Sequence, residues 1–224
     1  MQRVNLNLDH LDLHMINELR GVLNENYSGI SKITRETASV FQSGTRKEEG
    51  YEYLFKGRTL KTIKFFLSDK TLSKKELTDI FGVTLSKYLI AIGVAEKKKA
   101  GYRSSVHLFS FRDYFFITDR DNRMKDDVVF LTREQEFLLD LTPKSNKSVL
   151  DVCTGSGVIA VLLAKSSEKV TAVDINPRAI RFARYNAALN DVRVEFILSD
   201  LYEHVNSKYD LIVSNPPFNP FFWR

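Results

Sequence analysis

Three groups of residues in the carboxy-terminal third could do chemistry together. They are a glycine turn, "DVCTGSG" at 151–157, two acids that follow apolar runs, Asp174 and Asp200, and "NPPF" at 215–218. Glycines between a strand and a helix let a ligand approach the backbone with no Cβ in the way, and they accept dihedrals that other residues resist. The helix that follows offers free N–H groups to something polar. An acid about 20 residues beyond such a turn, as Asp174 is, can hold both hydroxyls of a ribose. Asp200 could meet an adenine amino group. Each feature also has a plainer reading, the turn as a structural connection and the aspartates as caps. Together they suit a dinucleotide as well as another adenosine ligand.

The "NPPF" run narrows the choice. Two prolines fix φ and remove two N–H donors, which leaves backbone carbonyls as unpaired acceptors. Asn215 adds a side-chain acceptor and Phe218 a flat apolar face. Two acceptors can hold the hydrogens of a planar –NH2 group and aim its lone pair, while a ring packs on the conjugated plane. Such a site suits a weakly nucleophilic amide or aryl amine that must be aligned with an electrophile.

The elements that position these residues follow from periodicity. Strands are expected at 147–153, 169–175, 192–200 and 209–215, with helices at 156–167 and 177–190 between them. Strands alternating with helices at this spacing mean βαβ units and a parallel sheet. Asn176 suits a helix N-cap and Pro177 the first helical turn. The first 146 residues lack that rhythm. Helices are expected at 8–26, 30–43, 60–69, 72–82 and 84–93, followed by strands within 104–119. Short helices leading into a strand pair through the basic turn "EKKKAGYRSS" resemble a winged helix. The fold class is therefore α/β, a Rossmann-like doubly wound and mostly parallel sheet, preceded by a mainly helical, winged-helix-like domain. The divisions expected are 1–119 for that domain, 120–146 for a linker and leading helix, and 147–224 for the α/β domain.

Composition bounds the function. The chain has 224 residues, 43% of them hydrophobic and 27% charged, which is ordinary for a globular protein. It has no long apolar run and no signal-like amino terminus, so neither a membrane span nor secretion is expected. The single cysteine, Cys153, excludes an internal disulfide and a thiolate zinc cluster, and a reducing, cytoplasmic compartment fits. Four scattered histidines show no metal spacing, and His10 and His14 read as one helix face. No metal is expected. Residues 56–112 hold 13 basic and 4 acidic side chains, so this segment carries +9 where the whole chain carries +5. Such concentration marks either a polyanion-binding face or a solvated surface. The aromatic run "FSFRDYFF" reads as core in preference to a base-stacking platform.

In order and spacing, "DVCTGSG", "AVDINPRAIRFARYNAALN", "LSD" and "SNPPF" resemble the class I S-adenosylmethionine-dependent methyltransferases, in their NPPF-type amino-methylating branch. The HemK-like N5-glutamine methyltransferases and the small-domain RNA guanine-N2 methyltransferases are the groups it is most similar to. The resemblance implies S-adenosyl-L-methionine as cofactor. It places Asp151, Thr154, Gly155 and Gly157 at the methionine end, Asp174 on the ribose, Ile175 on the adenine face and Asp200 on the adenine amino group. Asn215, Pro216, Pro217 and Phe218 would hold the target nitrogen. Cys153 stands where many members carry glycine, and a small buried residue is the expected role there. The implied activity is N-methylation of an amide or exocyclic amine of a macromolecule, with nucleic acid slightly favoured over protein. Members continue beyond this motif with further strands, so a longer parent protein is expected, and a complete chain of this length would catalyse weakly or not at all. The alternative function is a nucleic-acid-binding winged-helix module beside an incompetent methyltransferase domain.

Overall fold

The computed structural model describes residues 6–26, 55–68, 70–120, 134–143 and 146–217. The chain forms two compact units, Met1–Arg120 and Asp121–Arg224. The helix expected at 30–43, most of the linker and Phe218 lie outside the described residues.

In the first unit, helix α1 (Leu13–Glu25) starts later than the apolar periodicity suggested, because the Asp12 carboxylate accepts the Met15 N–H at 3.1 Å and caps it there. Its inner stripe, Met15, Ile16, Leu19, Val22 and Leu23, has the 3.6-residue period of one helix face. Helix α2 (Gly57–Leu67) buries Ile63, Phe65 and Phe66. Helix α3 (Lys74–Ala91) opens with a capping box between Ser73 and Glu76 and is broken at Gly82, whose φ of 73° and ψ of 169° are not helical. The two short helices expected from the sequence are the segments on either side of that break.

Two antiparallel hairpins follow: β1 (Ala95–Lys98) with β2 (Gly101–Ser104), and β3 (Val106–Phe111) with β4 (Tyr114–Asp119). Arg112 and Asp113 turn the second with φ of 48° and 68°, the twist a two-residue hairpin needs. Phe109, Phe115 and Phe116 are buried, so the aromatic run is core. On α1, His14 faces Glu18 at 3.4 Å, a helix-surface pair.

The second unit begins with helix α4 (Glu134–Leu141). Then come β5 (Asn146–Val152), α5 (Val158–Leu163), β6 (Ser167–Asp174), α6 (Pro177–Leu189), β7 (Glu195–Leu198) and β8 (Leu211–Ser214). The sheet order is β7-β6-β5-β8 with every pair parallel, the arrangement expected of a Rossmann-like α/β fold. Val149, Leu150, Val152, Val170, Ala172 and Val173 are buried, as strands covered on both faces require. Helix α5 is shorter than its apolar pattern, because Ser167 is already paired with Asn146 in the sheet. Asn176 caps α6, accepting the Arg178 N–H at 2.9 Å, and Pro177 occupies the first turn.

Gly157 lets α5 lie close to α6. A Cβ there would sit 2.8 Å from the Ala183 Cβ, and its φ is 81°. Gly155, at φ 56°, has nothing within 4 Å of an added Cβ. Gly157→Ala therefore combines left-handed strain with overpacking and is expected to cost about 2–5 kcal/mol, whereas Gly155→Ala carries the strain alone, about 1–2 kcal/mol. Urea unfolding midpoints of the two variants measure the difference.

Candidate functional site

The site lies along the carboxyl edge of the parallel strands. Sheet order reverses at β5, since the chain leaves it for β6 on one side and returns to pair β8 on the other. In an open α/β sheet, ligands bind in the crevice at such a switch point. The register makes the edge concrete: Val152 pairs with Val173 and with Ser214, and Asp174 pairs with Leu198. The turn at Cys153–Gly157, the acid at 174, the residues after 198 and Asn215 thus all emerge at one end.

The turn is held by carboxylates from two strands. Asp151, fully buried near the end of β5, accepts the Thr154 hydroxyl at 2.6 Å and the Ala160 N–H at 3.1 Å through Oδ2. Asp174 Oδ2 accepts the Gly155 N–H at 2.8 Å, and its Oδ1 accepts the Asn176 N–H at 2.9 Å. The Thr154 N–H reaches the Val173 carbonyl at 3.0 Å, tying the loop to β6 a second time. Cys153, Gly155 and Gly157 all have positive φ, at 61°, 56° and 81°. Three left-handed residues in five curl the backbone around the opening of the crevice.

Acids set the electrostatics of the turn. Burial pushes the Asp151 carboxyl up to about 7 despite its two hydrogen bonds, with the Asp174 charge adding to the rise. Burial also raises Asp174, opposed by the N–H groups of Asn176 and Gly155. The Cys153 thiol is raised by burial and by the Asp174, Asp151 and Asp200 charges, while the Ser214 hydroxyl acts the other way. Asp151 Oδ1 is buried with no hydrogen-bond partner among the described residues, a costly state for a polar atom. An anionic pocket with an orphaned carboxylate oxygen suits a ligand carrying positive charge.

The remaining residues named from the sequence sit around this loop. Ile175 is 56% exposed immediately after β6, an apolar side chain left at the mouth. Asp200 is exposed and lies two residues beyond the end of β7, while its neighbour Ser199 is anchored to the Asp174 carbonyl at 3.0 Å. Asn215 is half-buried, and Pro216 and Pro217 are exposed beside it. Phe218 lies outside the described residues.

Sequence reading missed three residues. Ser214 donates to the Val152 carbonyl at 3.0 Å and touches the Cys153 thiol, locking the β5 and β8 ends together. Asn186, fully buried on α6, donates to the Ser156 carbonyl at 2.9 Å and fixes the turn from behind. Ser156 is itself fully buried, with its hydroxyl unpartnered among the described residues. Only the polar residue inside the apolar face of a helix, at 186, could have been found in advance.

These residues fit S-adenosylmethionine, which carries an ammonium and a sulfonium. Asp151, Asp174 and Asp200 offer negative charge, the free lone pairs of Asp174 can take hydroxyls, and Ile175 offers an apolar face. Comparison with known proteins agrees. Residues 133–220 match the family model of the methyltransferase small domain. Over 95 residues the chain is 42% identical to a candidate protein N5-glutamine methyltransferase of Methanocaldococcus jannaschii, covering 41% of this chain and 48% of the relative. Over 110 residues it is 38% identical to a release factor glutamine methyltransferase of Lactococcus lactis, covering 46% and 41%. Over 87 residues it is 38% identical to ribosomal RNA small subunit methyltransferase C of Escherichia coli, covering 38% and 25%. The chain spans less than half the length of each of these relatives.

The Asp151 carboxyl gives a pH signature. Its folded value, about 7, lies above the ordinary 3.8, so the folded protein binds an extra proton between those values. That contribution is fully present below the lower value and is lost as pH rises through the upper one. Asp151→Asn removes the titration. In urea unfolding without added ligand, the variant is expected to gain on the parent as pH rises from about 4.5 to about 7.5. Parallel pH curves would show that Asp151 stays charged throughout.

Proposed function

We propose, from the methyltransferase small domain matched by residues 133–220, that this protein transfers a methyl group from S-adenosyl-L-methionine to an amide or exocyclic amino nitrogen of a macromolecule. The observation that carries the reading is the register of β8 on β5, which sets Asn215 one residue past the Val152–Ser214 pair and so beside the Cys153–Gly157 turn.

Each residue then has a task. Asp174, its two oxygens already fixed by backbone N–H groups, is preorganised to hold ribose hydroxyls with its remaining lone pairs. Ile175 packs on the adenine, and Asp200 accepts from its amino group. Asp151, fully buried behind the turn, acts on the positive end of the donor through its field. Thr154 fixes the rotamer of that carboxylate, Gly155 keeps the turn open to the methionine end, and Gly157 lets the turn lead into α5 against α6. When bound, the cofactor supplies an electrophilic methyl group.

On the substrate side, Asn215 and the Pro216 carbonyl accept the two hydrogens of the –NH2 group. Pro217, which has no N–H of its own, leaves that carbonyl free for the substrate. Phe218 is assigned the flat face against the amide or base. Alignment of this kind converts a bimolecular encounter into a positioned one, the main source of rate for a nitrogen whose lone pair is delocalised. Proteins named for methylation of release factor glutamine and of ribosomal RNA are both similar to this chain, so both nitrogen types fit.

In a transfer assay with labelled donor, Asn215→Ala is expected to lower turnover at least about 100-fold, the usual scale for a lost orienting contact. Transfer by that variant at the parent rate would overturn the assignment.

A further inference from the structure

The amino-terminal unit carries a second feature of a kind the methyl-transfer site does not use. Leu72 forms a two-way bridge with Tyr102, its N–H donating to the Tyr102 carbonyl at 2.8 Å and its carbonyl accepting the Tyr102 N–H at 2.7 Å. Gly101 makes this approach possible, since a Cβ there would lie 2.3 Å from the Leu72 carbonyl oxygen. Thr71 also reaches the Ala100 carbonyl at 3.5 Å. The start of α3 is thereby fixed beside the β1–β2 hairpin, so Lys74 belongs to the same part of the surface as the hairpin residues Lys97 and Lys99.

The charges on this face are not neutralised. Two neighbouring lysines are spent on local carboxylates, Lys75 on Asp79 at 2.9 Å and Lys98 on Glu96 at 2.5 Å. Lys74, Lys97 and Lys99 are exposed and have no carboxylate partner among the described residues. Beyond the Gly82 break, the exposed positions of α3 are Val83, Thr84, Lys87, Ile90 and Ala91, one helix face with a lysine and no acid. Lys87 likewise has no carboxylate partner among the described residues.

We propose that this face docks duplex DNA, with the second half of α3 in the major groove and the hairpin lysines on the flanking phosphates. The chemistry selects this partner. Four unpaired lysines on a helix and a neighbouring hairpin match a phosphate array. A helix face of small and apolar residues around one lysine fits a groove wide enough to admit a helix, where Val83 and Ile90 can meet thymine methyls. The deep, narrow major groove of A-form RNA excludes that fit. This deepens the proposed function by naming the macromolecule toward which transfer is directed, and it rests on that reading only for the transfer.

The test is fluorescence anisotropy of the full chain with a labelled DNA duplex of about 20 base pairs, across salt, with no methyl donor present. Four phosphate contacts give a log–log salt slope of about −3.6. The Lys97→Glu/Lys99→Glu variant should bind at least about tenfold more weakly with roughly half that slope. Thr84→Glu, on the helix face, should lose DNA binding too. Lys208→Glu, which makes the same change of sign on an exposed lysine of the other unit, should bind as the parent does. Absence of duplex binding at low salt, equal or tighter binding of an RNA duplex of the same sequence, or unchanged affinity in the hairpin variant would overturn the proposal. Donor uptake and methyl transfer are read separately, so a failed docking leaves the methyl-transfer reading standing.

Discussion

The hydrogen bond from the Gly155 N–H to Asp174 is the interaction on which the site depends. It joins the turn after β5 to the end of β6, so the ligand-facing loop takes its shape from a neighbouring strand as well as from its own residues. Asp151 completes the hold from inside the fold, through Thr154 and Ala160. Burial raises both carboxyls, and the Asp174 charge adds to the rise of Asp151. The pocket is thus built at a cost that a positively charged ligand offsets.

That electrostatic cost links fold to function. A Rossmann-like sheet accepts many ligands, and the glycine turn alone would suit several. What separates this site from a phosphate site is its sign. A diphosphate would be repelled by the acids around the turn, whereas a sulfonium or an ammonium would be attracted by them. The β8 register sets Asn215 beside the same turn, the position that the proposed role on the target nitrogen requires.

Much of this was legible in the sequence, for identifiable reasons. The central strands of the second unit, β5 and β6, are buried on both faces over Val149–Val152 and Val170–Val173 and therefore appear as continuous apolar runs, and Asn176–Pro177 marks the start of α6 by local chemistry alone. Glycine spacing exposed the turn because no other residue serves it cheaply. Less visible were features decided by contacts distant in the chain. The early start of β6 at Ser167 comes from pairing with Asn146, although the local residues look like the end of a helix. The hairpin turn at Arg112–Asp113 uses positive φ without a glycine. Ser214 acts through a partner 62 residues away that no spacing rule encodes, and Asn186 shows in the sequence only as a polar residue on an apolar helix face, not as the partner of Ser156, 30 residues away. Cys153 was expected to be merely small and buried, yet it is half-buried at φ 61° among three acids, a position set by the loop's curl.

The measurement that tests the central claim most directly is a calorimetric titration of the protein with S-adenosylhomocysteine, the demethylated product form of the donor. One site per chain is predicted, lost when Asp174 is replaced by alanine and retained when Asn215 is. No heat of binding, or binding that is indifferent to Asp174, would contradict the account.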